Sequence, residues 1–173
     1  MTEESIRALA RGFLKKNNLY SFPVNLYKAA EAVGAIIIFE KLPPKISGLV
    51  IEVNNPEYPY IIGVNISKPF NHKRFTIAHE IGHIVLNHLK KQQIMCEIGN
   101  LYELKNGKLE KEANIFASEL LVPTDKLKQI TNMNCSTNSL SKFFQVSQDV
   151  IKFRVEKYLT KLSQEVSIFY KME

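Results

Sequence analysis

The feature that most constrains this chain is a pair of histidines four positions apart inside an apolar segment. His79 and His83 flank Glu80 in the pattern His-Glu-x-x-His. Apolar residues surround the pair almost continuously; these are Phe75, Ile77, Ala78, Ile81, Ile84, Val85 and Leu86. The segment therefore predicts a helix over about residues 71–89 that is buried on most sides. Two histidines without partners would be costly there, which argues against a purely incidental pair.

The spacing of the two histidines predicts a metal site. Four residues turn an α-helix by about 400°, so His79 and His83 project from one face, one turn apart. Two imidazoles placed in this way can chelate one Zn²⁺. Glu80 lies about 100° around the helix and can reach a metal-bound water without being a ligand. Because a metal acidifies water and a carboxylate can take and return its proton, the pattern indicates zinc-dependent hydrolysis.

A catalytic zinc site usually has three protein ligands and a water, so one further ligand is needed. Leu89 stands where an extended motif would carry a third histidine, and His88, five residues beyond His83, is expected to face away from the ligand pair. The third ligand should therefore come from another segment. A predicted helix over residues 109–121 offers three carboxylates, which are Glu110, Glu112 and Glu119.

Glu110 is the preferred third ligand because of the helix face on which it lies. It shares a stripe with Ala113 and Asn114, and small residues on that stripe would let the two helices pack closely. Gly82 would likewise permit the close approach of another backbone. Asn114, one turn beyond Glu110, could accept the other ring N–H of a liganding histidine and fix its tautomer. Glu112 remains the alternative ligand.

The rest of the first 124 residues predicts a small sheet beside the motif helix. An opening helix over residues 3–17 and a second helix capped by Asn25 come first. Three strand segments follow, at residues 35–39, 48–53 and 60–64. Three short strands in sequence favour a three-stranded, mainly antiparallel sheet. Residues 92–107 contain turn signals and predict an irregular connection or a hairpin.

The last 49 residues predict helices. Their segments are 125–131, 138–145 and 147–162. The fold class is therefore α+β, with the sheet packed on the motif helix and a mostly helical C-terminal part. We expect a core over residues 1–124 and a helical extension over residues 125–173, packed together as one domain.

Residues 138–158 have the rhythm of a helix-turn-helix, with Ser147 placed to cap the second helix. Gln148 and Lys152 would suit DNA contacts, but Asp149 would repel phosphates. We therefore favour a role in packing or substrate docking over direct DNA binding.

Composition and charge point to a soluble cytoplasmic protein. The net charge of +6 is spread evenly, with 15 basic and 12 acidic side chains in residues 1–124 and 8 and 5 in residues 125–173. An even spread favours a solvated basic surface over a nucleic-acid site. The N-terminus has no apolar run of the secretory kind, and the longest apolar stretch, residues 35–39, is too short to cross a bilayer. Cys96 and Cys135 lack metal-type spacing, so we expect reduced thiols.

Two motifs resemble those of the ImmA/IrrE family of metallo-endopeptidases. The segment Phe75–His83 resembles the family pattern RFTxAHELGH, with Ile81 in place of the usual leucine. The segment Glu110–Pro123 resembles ExEANxFAxxLLxP, with Val122 in place of a frequent methionine. Weaker similarity lies at Phe22–Leu26 and at an isoleucine-serine-glycine turn, Ile46–Gly48, so that the resemblance spans most of residues 5–159.

The resemblance implies one Zn²⁺ per chain, bound by His79, His83 and Glu110, with Glu80 as the general base. It also implies a zincin-like architecture similar to that of thermolysin-type peptidases. In such peptidases an extended substrate pairs with an edge strand of the sheet. By analogy the candidate substrate strand here consists of Tyr60, Ile61, Ile62, Gly63 and Val64. Candidates for stabilising the oxyanion are Tyr58, Tyr60 and Tyr102.

The function that the resemblance implies is endopeptidase cleavage of a specific protein. Similar family members cleave helix-turn-helix repressors and so release genes of mobile elements or of stress responses. A protein substrate of that kind is the expected partner, with no membrane involvement. The alternative is a regulator without proteolytic activity that uses the same fold to bind DNA or protein.

Overall fold

The computed structural model describes residues 1–90, 94–98, 107–131 and 135–156. The strands are β1 (Ala35–Glu40), β2 (Ile46–Glu52), β3 (Tyr60–Asn65) and β4 (Ile94–Ile98). The first helices are α1 (Glu3–Lys16), α2 (Leu26–Glu31) and α3 (Phe70–Val85), followed by a 3-10 turn (His88–Lys90). The later helices are α4 (Gly107–Leu121), α5 (Thr124–Thr131), α6 (Thr137–Phe144) and α7 (148–156). These elements confirm the predicted α+β class.

The described strands form one mixed sheet in the order β1-β3-β2-β4. Strand β1 pairs with β3 in parallel, whereas β2 pairs antiparallel with both β3 and β4. The prediction of a mainly antiparallel sheet therefore holds for two of the three pairings, but the predicted number of strands is too small. The fourth strand lies inside residues 92–107, where the turn signals Gly99-Asn100 and Asn106-Gly107 that follow it obscured it.

Residues Tyr60–Val64 lie inside the sheet, and their prediction as a substrate-binding edge strand is wrong. In β3, Ile62 is opposite Ile37 of β1 on one side and opposite Val50 of β2 on the other. Because both sides of β3 already have strand partners, no extended peptide can pair with it. Residue pattern alone predicts strands but not their order. The edge strands of the described sheet are β1 and β4.

The predicted isoleucine-serine-glycine turn is also placed differently, because Ile46, Ser47 and Gly48 open β2. The β2–β4 pairing has an irregular register between Ile46 and Gly48. A Cβ at Gly48 would lie 2.3 Å from Thr76 Cγ2 and 2.9 Å from the carbonyl oxygen of Gly63. Helix α3 therefore lies directly on β2 at this point, and only a residue without a side chain fits between them.

Helix α4 packs against the other side of α3 with similarly little space. A Cβ at Gly82 would lie 3.2 Å from the ring of Phe116 and 3.3 Å from the carbonyl oxygen of Ala113. This confirms that Gly82 allows another backbone to approach the motif helix closely. The layers share one apolar core, which includes Val50, Ile62 and Val64 of the sheet, Ile77 and Ile81 of α3, and Phe116 and Leu120 of α4.

The first two helices begin at residues whose side chains cap them. Thr2 caps α1 by accepting a hydrogen bond from the Ser5 amide, and Asn25 caps α2 by accepting from the amides of Tyr27 and Lys28. The cap predicted at Asn25 is therefore confirmed. The buried residues Ile6, Ala10 and Leu14 of α1 recur at helical spacing and join the core.

The turn between α6 and α7 is fastened to the motif helix. Asn71 donates to the carbonyl of Val146 at 3.1 Å, and Arg74 donates to the carbonyl of Gln145 at 3.2 Å. Ser147 caps α7 by accepting from the Val150 amide at 3.3 Å, as expected. The helix-turn-helix-like segment thus packs on the core, although the functional division after residue 124 stays a prediction. Among the described residues, no helix combines the length and apolar character needed to cross a membrane.

Replacing Gly48 by alanine is expected to lower the free energy of unfolding by about 1–3 kcal/mol, because the new methyl group overpacks the α3–β2 contact. Urea unfolding followed by circular dichroism measures the change. Gly63→Ala is the matched control on the neighbouring strand, since its Cβ would meet Leu49 only at 3.4 Å or more. Equal effects of the two substitutions would show that the close approach at Gly48 is unimportant.

Candidate metal centre

Three side chains converge where α3 faces α4. His79 and His83 come from successive turns of α3, and Glu110 comes from the first part of α4. The Nε2 atoms of the two histidines are 2.9 Å apart. Glu110 places Oε2 3.0 Å from His79 Nε2 and Oε1 3.6 Å from His83 Nε2. One ligand atom from each residue lies within 4.8 Å of the other two, and all three residues are buried.

The residues at this centre fit a metal ion of the zinc type. His79 Nδ1 lies 3.0 Å from Asn114 Oδ1. If that nitrogen donates to the carboxamide oxygen, Nε2 is left with a lone pair that points into the cluster. Two imidazole nitrogens and a carboxylate that face one another repel unless a proton or a metal cation lies between them. Two nitrogen ligands and one oxygen ligand match a catalytic zinc site that keeps a position open for water.

Burial and pairing hold two of these residues in the forms that bind metals. Burial lowers the pKa of His83 to about 4. Burial alone would raise the pKa of Glu110, but its hydrogen bonds and charge interactions with His79 and His83 outweigh that effect and lower the pKa to about 2. At neutral pH the cluster therefore offers a neutral imidazole at His83 and an ionised carboxylate at Glu110, as metal binding requires.

Glu80 lies outside the cluster of three, as the helix geometry predicts. It follows His79 directly on α3 and is fully buried. Its Oε1 lies toward β2, 3.5 Å from the point that a Cβ of Gly48 would occupy. Glu80 therefore sits in the narrow space between the motif helix and the sheet, next to the candidate ligands.

The tyrosines suggested for oxyanion stabilisation are not brought to this centre by any described contact. Tyr60 begins β3 and pairs with Glu52, which lies four residues along β2 from Gly48. At about 3.3 Å per residue this is about 13 Å from the end of the sheet that faces Glu80. Tyr58 precedes that strand, and Tyr102 lies outside the described residues.

His88 contacts the ring of His83 on the side that faces away from the ligand cluster. The helical spacing in the sequence predicts instead that His88 faces away from the ligand pair. The expectation rested on a helix that continues to residue 89, whereas α3 ends at Val85 and Asn87 turns the chain with a φ of 60°. His88 Nδ1 then lies 3.0 Å from His83 Nδ1, and His88 Nε2 lies 3.2 Å from Glu112 Oε2. His88 and Glu112 are thus paired with each other, beside the ligand group and not within it.

An α+β fold with a buried His-Glu-x-x-His helix, completed by a carboxylate from a second helix, defines a candidate metal centre of the zincin class. The family model for the IrrE N-terminal-like domain matches residues 30–156. The chain therefore belongs to the ImmA/IrrE family, a family of metallopeptidases and IrrE-like regulators.

One relative and one solved structure illustrate the similarity. The protein named Metallopeptidase ImmA, from Bacillus subtilis (strain 168), is 38% identical over 64 residues, which make up 37% of this chain and 36% of that protein. A solved structure described as a Mycobacterium tuberculosis transcriptional regulator superposes with a TM-score of 0.61 at 14% identity, over 86% of this chain and 45% of that chain. The second likeness concerns the fold alone, and the chain matches less than half the length of either protein.

Proposed function

We propose that this protein is a zinc-dependent endopeptidase. One Zn²⁺ is held by His79, His83 and Glu110, and Glu80 is the general base. The observation that carries the proposal is the convergence of the three ligand atoms within 4.8 Å of one another, with a buried carboxylate at the next position of the same helix. A site built only for structure has no use for such a base, and usually has four protein ligands and no open position.

The chain's own residues divide the chemistry between them. Zinc bound here would acidify a water molecule and polarise a peptide carbonyl. Glu80 takes the proton of the attacking water and passes it to the leaving nitrogen. Asn114 keeps the His79 ring in the orientation in which Nε2 faces the cluster. Because Glu80 is enclosed between α3 and β2, its carboxylate is already oriented before the substrate arrives.

We propose that the substrate peptide binds in an extended form alongside β4. Strand β4 thus takes the substrate-binding role that was predicted for β3 from the sequence. Strand β4 pairs with β2, and none of the described strands lies on its outer side, where an extended peptide would add as a further strand. Within the described residues, β4 joins the sheet on the β2 side and lies next to the strand that contacts α3 at Gly48. An extended peptide paired there would run past the motif helix.

The proposed substrate is an intracellular protein, specifically a helix-turn-helix repressor of a mobile element or a stress response. This choice rests on family resemblance. The competing function is a regulator that binds DNA or protein without cleavage, which the helix-turn-helix-like pair α6 and α7 favours. Asp149 is exposed on α7, while Asn71 and Arg74 fasten the preceding turn to the core. Because Asp149 pairs with the exposed Lys152 at 3.9 Å, this pair adds little net positive charge for a DNA backbone.

Removing the metal is expected to stop cleavage, and restoring it is expected to bring cleavage back. The zinc-loaded protein is incubated with the helix-turn-helix regulator encoded next to its gene, and the products are read by mass spectrometry. One discrete cut should appear, vanish after treatment with a chelator, and return with stoichiometric zinc but not with magnesium. A Glu110→Ala variant serves as the control that lacks a ligand. Cleavage that survives both the chelator and this substitution would contradict the proposal, as would intact regulator at full zinc occupancy.

A further inference from the structure

We propose that His88 and Glu112 form a positioning pair that fixes the tautomer of the metal ligand His83. The inference rests on the metal site of the proposed function. It adds two residues to that site and assigns each of them a hydrogen-bonding role toward a ligand. Neither residue touches the metal or the substrate in this assignment.

The side chains of His83, His88 and Glu112 contact one another in that order, leading away from the ligand cluster. His83 points Nε2 at His79 Nε2, 2.9 Å away, and points its other nitrogen at His88. The Nδ1 atoms of His83 and His88 are 3.0 Å apart, and His88 Nε2 is 3.2 Å from Glu112 Oε2. All three residues are buried, with His83 and His88 almost completely enclosed. Buried polar groups at such distances are expected to be hydrogen-bonded.

The direction of the hydrogen bonds follows from the Glu112 end of this line. A glutamate side chain has an ordinary pKa of about 4.3, and in its ionised form it only accepts hydrogen bonds. His88 Nε2 therefore carries the proton that it donates to Glu112. The neutral His88 ring then has a lone pair on Nδ1, which accepts a hydrogen bond from the Nδ1–H group of His83. This leaves the lone pair of His83 on Nε2, the nitrogen that faces the metal site.

The reverse direction would disable the site. If His88 Nδ1 donated to His83, the neutral His83 ring would carry its proton on Nε2 and could not bind a metal there. Holding the correct tautomer in advance removes that competing state. Partners of this kind beside a metal ligand typically change metal affinity by about 10–100-fold when they are lost.

Helix α4 supplies the support for both histidine ligands. Asn114 holds His79 from behind, and Glu112 holds His83 through His88. Glu110, the carboxylate ligand, lies on the same helix two residues before Glu112. The chain turns at Asn87 with a φ of 60°, and His88 follows directly after this turn, beside the His83 ring.

Two substitutions at His88 separate a positioning role from a merely structural one. In His88→Asn the amide oxygen takes the place of Nδ1, so the acceptor for His83 is kept while the donor to Glu112 is lost. In His88→Gln the amide nitrogen takes the place of Nε2, so the donor to Glu112 is kept while the acceptor for His83 is lost. Both variants carry the same carboxamide group in the same buried space and differ in which of the two nitrogen positions of His88 it occupies.

Zinc affinity is measured by competition with a chromophoric chelator, and the unfolding of the metal-free variants is measured in urea. We expect His88→Gln to weaken zinc binding by about 10–100-fold and His88→Asn to remain within a few-fold of the wild type. Nitrogen NMR of ¹⁵N-histidine-labelled zinc protein should show a protonated Nδ1 at His83 in the wild type and in His88→Asn. In His88→Gln that proton should exchange rapidly.

Equal losses of zinc affinity in the two variants, or no loss in His88→Gln, would overturn the assignment. So would a His83 ring that is protonated on Nε2 in the zinc-loaded protein. The measurement uses no substrate, which separates it from the proposed function. A wild-type protein that binds zinc in this way but cleaves nothing would end the peptidase proposal and leave the roles of His88 and Glu112 standing.

Discussion

Replacing Glu80 by glutamine is expected to slow cleavage of the protein substrate by about 10²–10⁴-fold, because the amide cannot take a proton from water. Zinc content and unfolding free energy should stay close to those of the wild type. Glu80 lies outside the group of three ligand residues, and glutamine has nearly the same size in a fully buried position. Single-turnover cleavage, metal analysis and urea unfolding measure the three quantities on one preparation.

The matched control for this variant is Glu110→Gln, which changes a carboxylate to an amide in the proposed ligand set. It should lose zinc and cleavage together, whereas Glu80→Gln loses cleavage alone. If Glu80→Gln cleaves at the wild-type rate, Glu80 is not the general base. If Glu80→Gln keeps an assayed regulatory effect of the protein while cleavage is abolished, the non-proteolytic alternative is favoured.

Replacing Glu119 by alanine is expected to lower the free energy of unfolding by about 3–5 kcal/mol, the range found when one partner of a buried ion pair is removed. Glu119 is fully buried and accepts hydrogen bonds from Arg7 at 3.2 Å and from Arg11 at 2.8 Å. Arg154 of α7 donates to the same carboxylate, and Thr124 donates to it through its amide and hydroxyl groups. Without Glu119, the guanidinium groups of Arg7, Arg11 and Arg154 would lose the negative charge with which all three pair.

Lys111→Ala on the same helix is the control for this prediction. Lys111 pairs with Glu3 at 3.2 Å, but their side chains are 69% and 43% exposed. Removing an exposed pair of this kind is expected to cost less than about 1 kcal/mol. Urea unfolding of both variants measures the difference. A loss at Glu119 no larger than that at Lys111 would show that the buried network does not stabilise the fold.

The Glu119 network also predicts how stability depends on pH. Burial alone would raise the pKa of Glu119, but the charge of Arg154 and the hydrogen bonds from Thr124 and Arg11 outweigh it, so the pKa is lowered. The ionised carboxylate therefore stabilises the fold at and above the ordinary glutamate pKa of about 4.3, and this contribution is lost as the pH falls through the folded-state pKa. Glu119→Ala should lose stability less steeply than the wild type below about pH 4.

The metal ligands could be predicted because their geometry is local or follows one helix face. A four-residue spacing in a helix places His79 beside His83 whatever the rest of the fold does. The stripe that joins Glu110 to Asn114 required only that a second helix pack against the first. Structure places both residues beside the histidine pair, at 3.0 Å from opposite nitrogens of the His79 ring.

The features that were missed depend on contacts distant in sequence. Strand order is decided by the connections and by packing on α3, so the interior position of Ile62 has no signature in its own segment. The return of His88 depends on a single left-handed residue, Asn87, in a segment whose apolar pattern continues the helix. The buried pairing of Arg154 with Glu119 could not be predicted, because charged residues on helices are normally solvated.

Helix α4 carries Glu110 near its start and Glu119 near its end. Nine residues at about 1.5 Å each separate the two carboxylates by about 13.5 Å. One helix thus carries the metal-facing carboxylate, Glu110, at one end. At its other end it carries Glu119, which pairs with Arg154 of α7, the final described helix. We therefore expect that cutting the chain ahead of Arg154 would loosen the helix that presents Glu110.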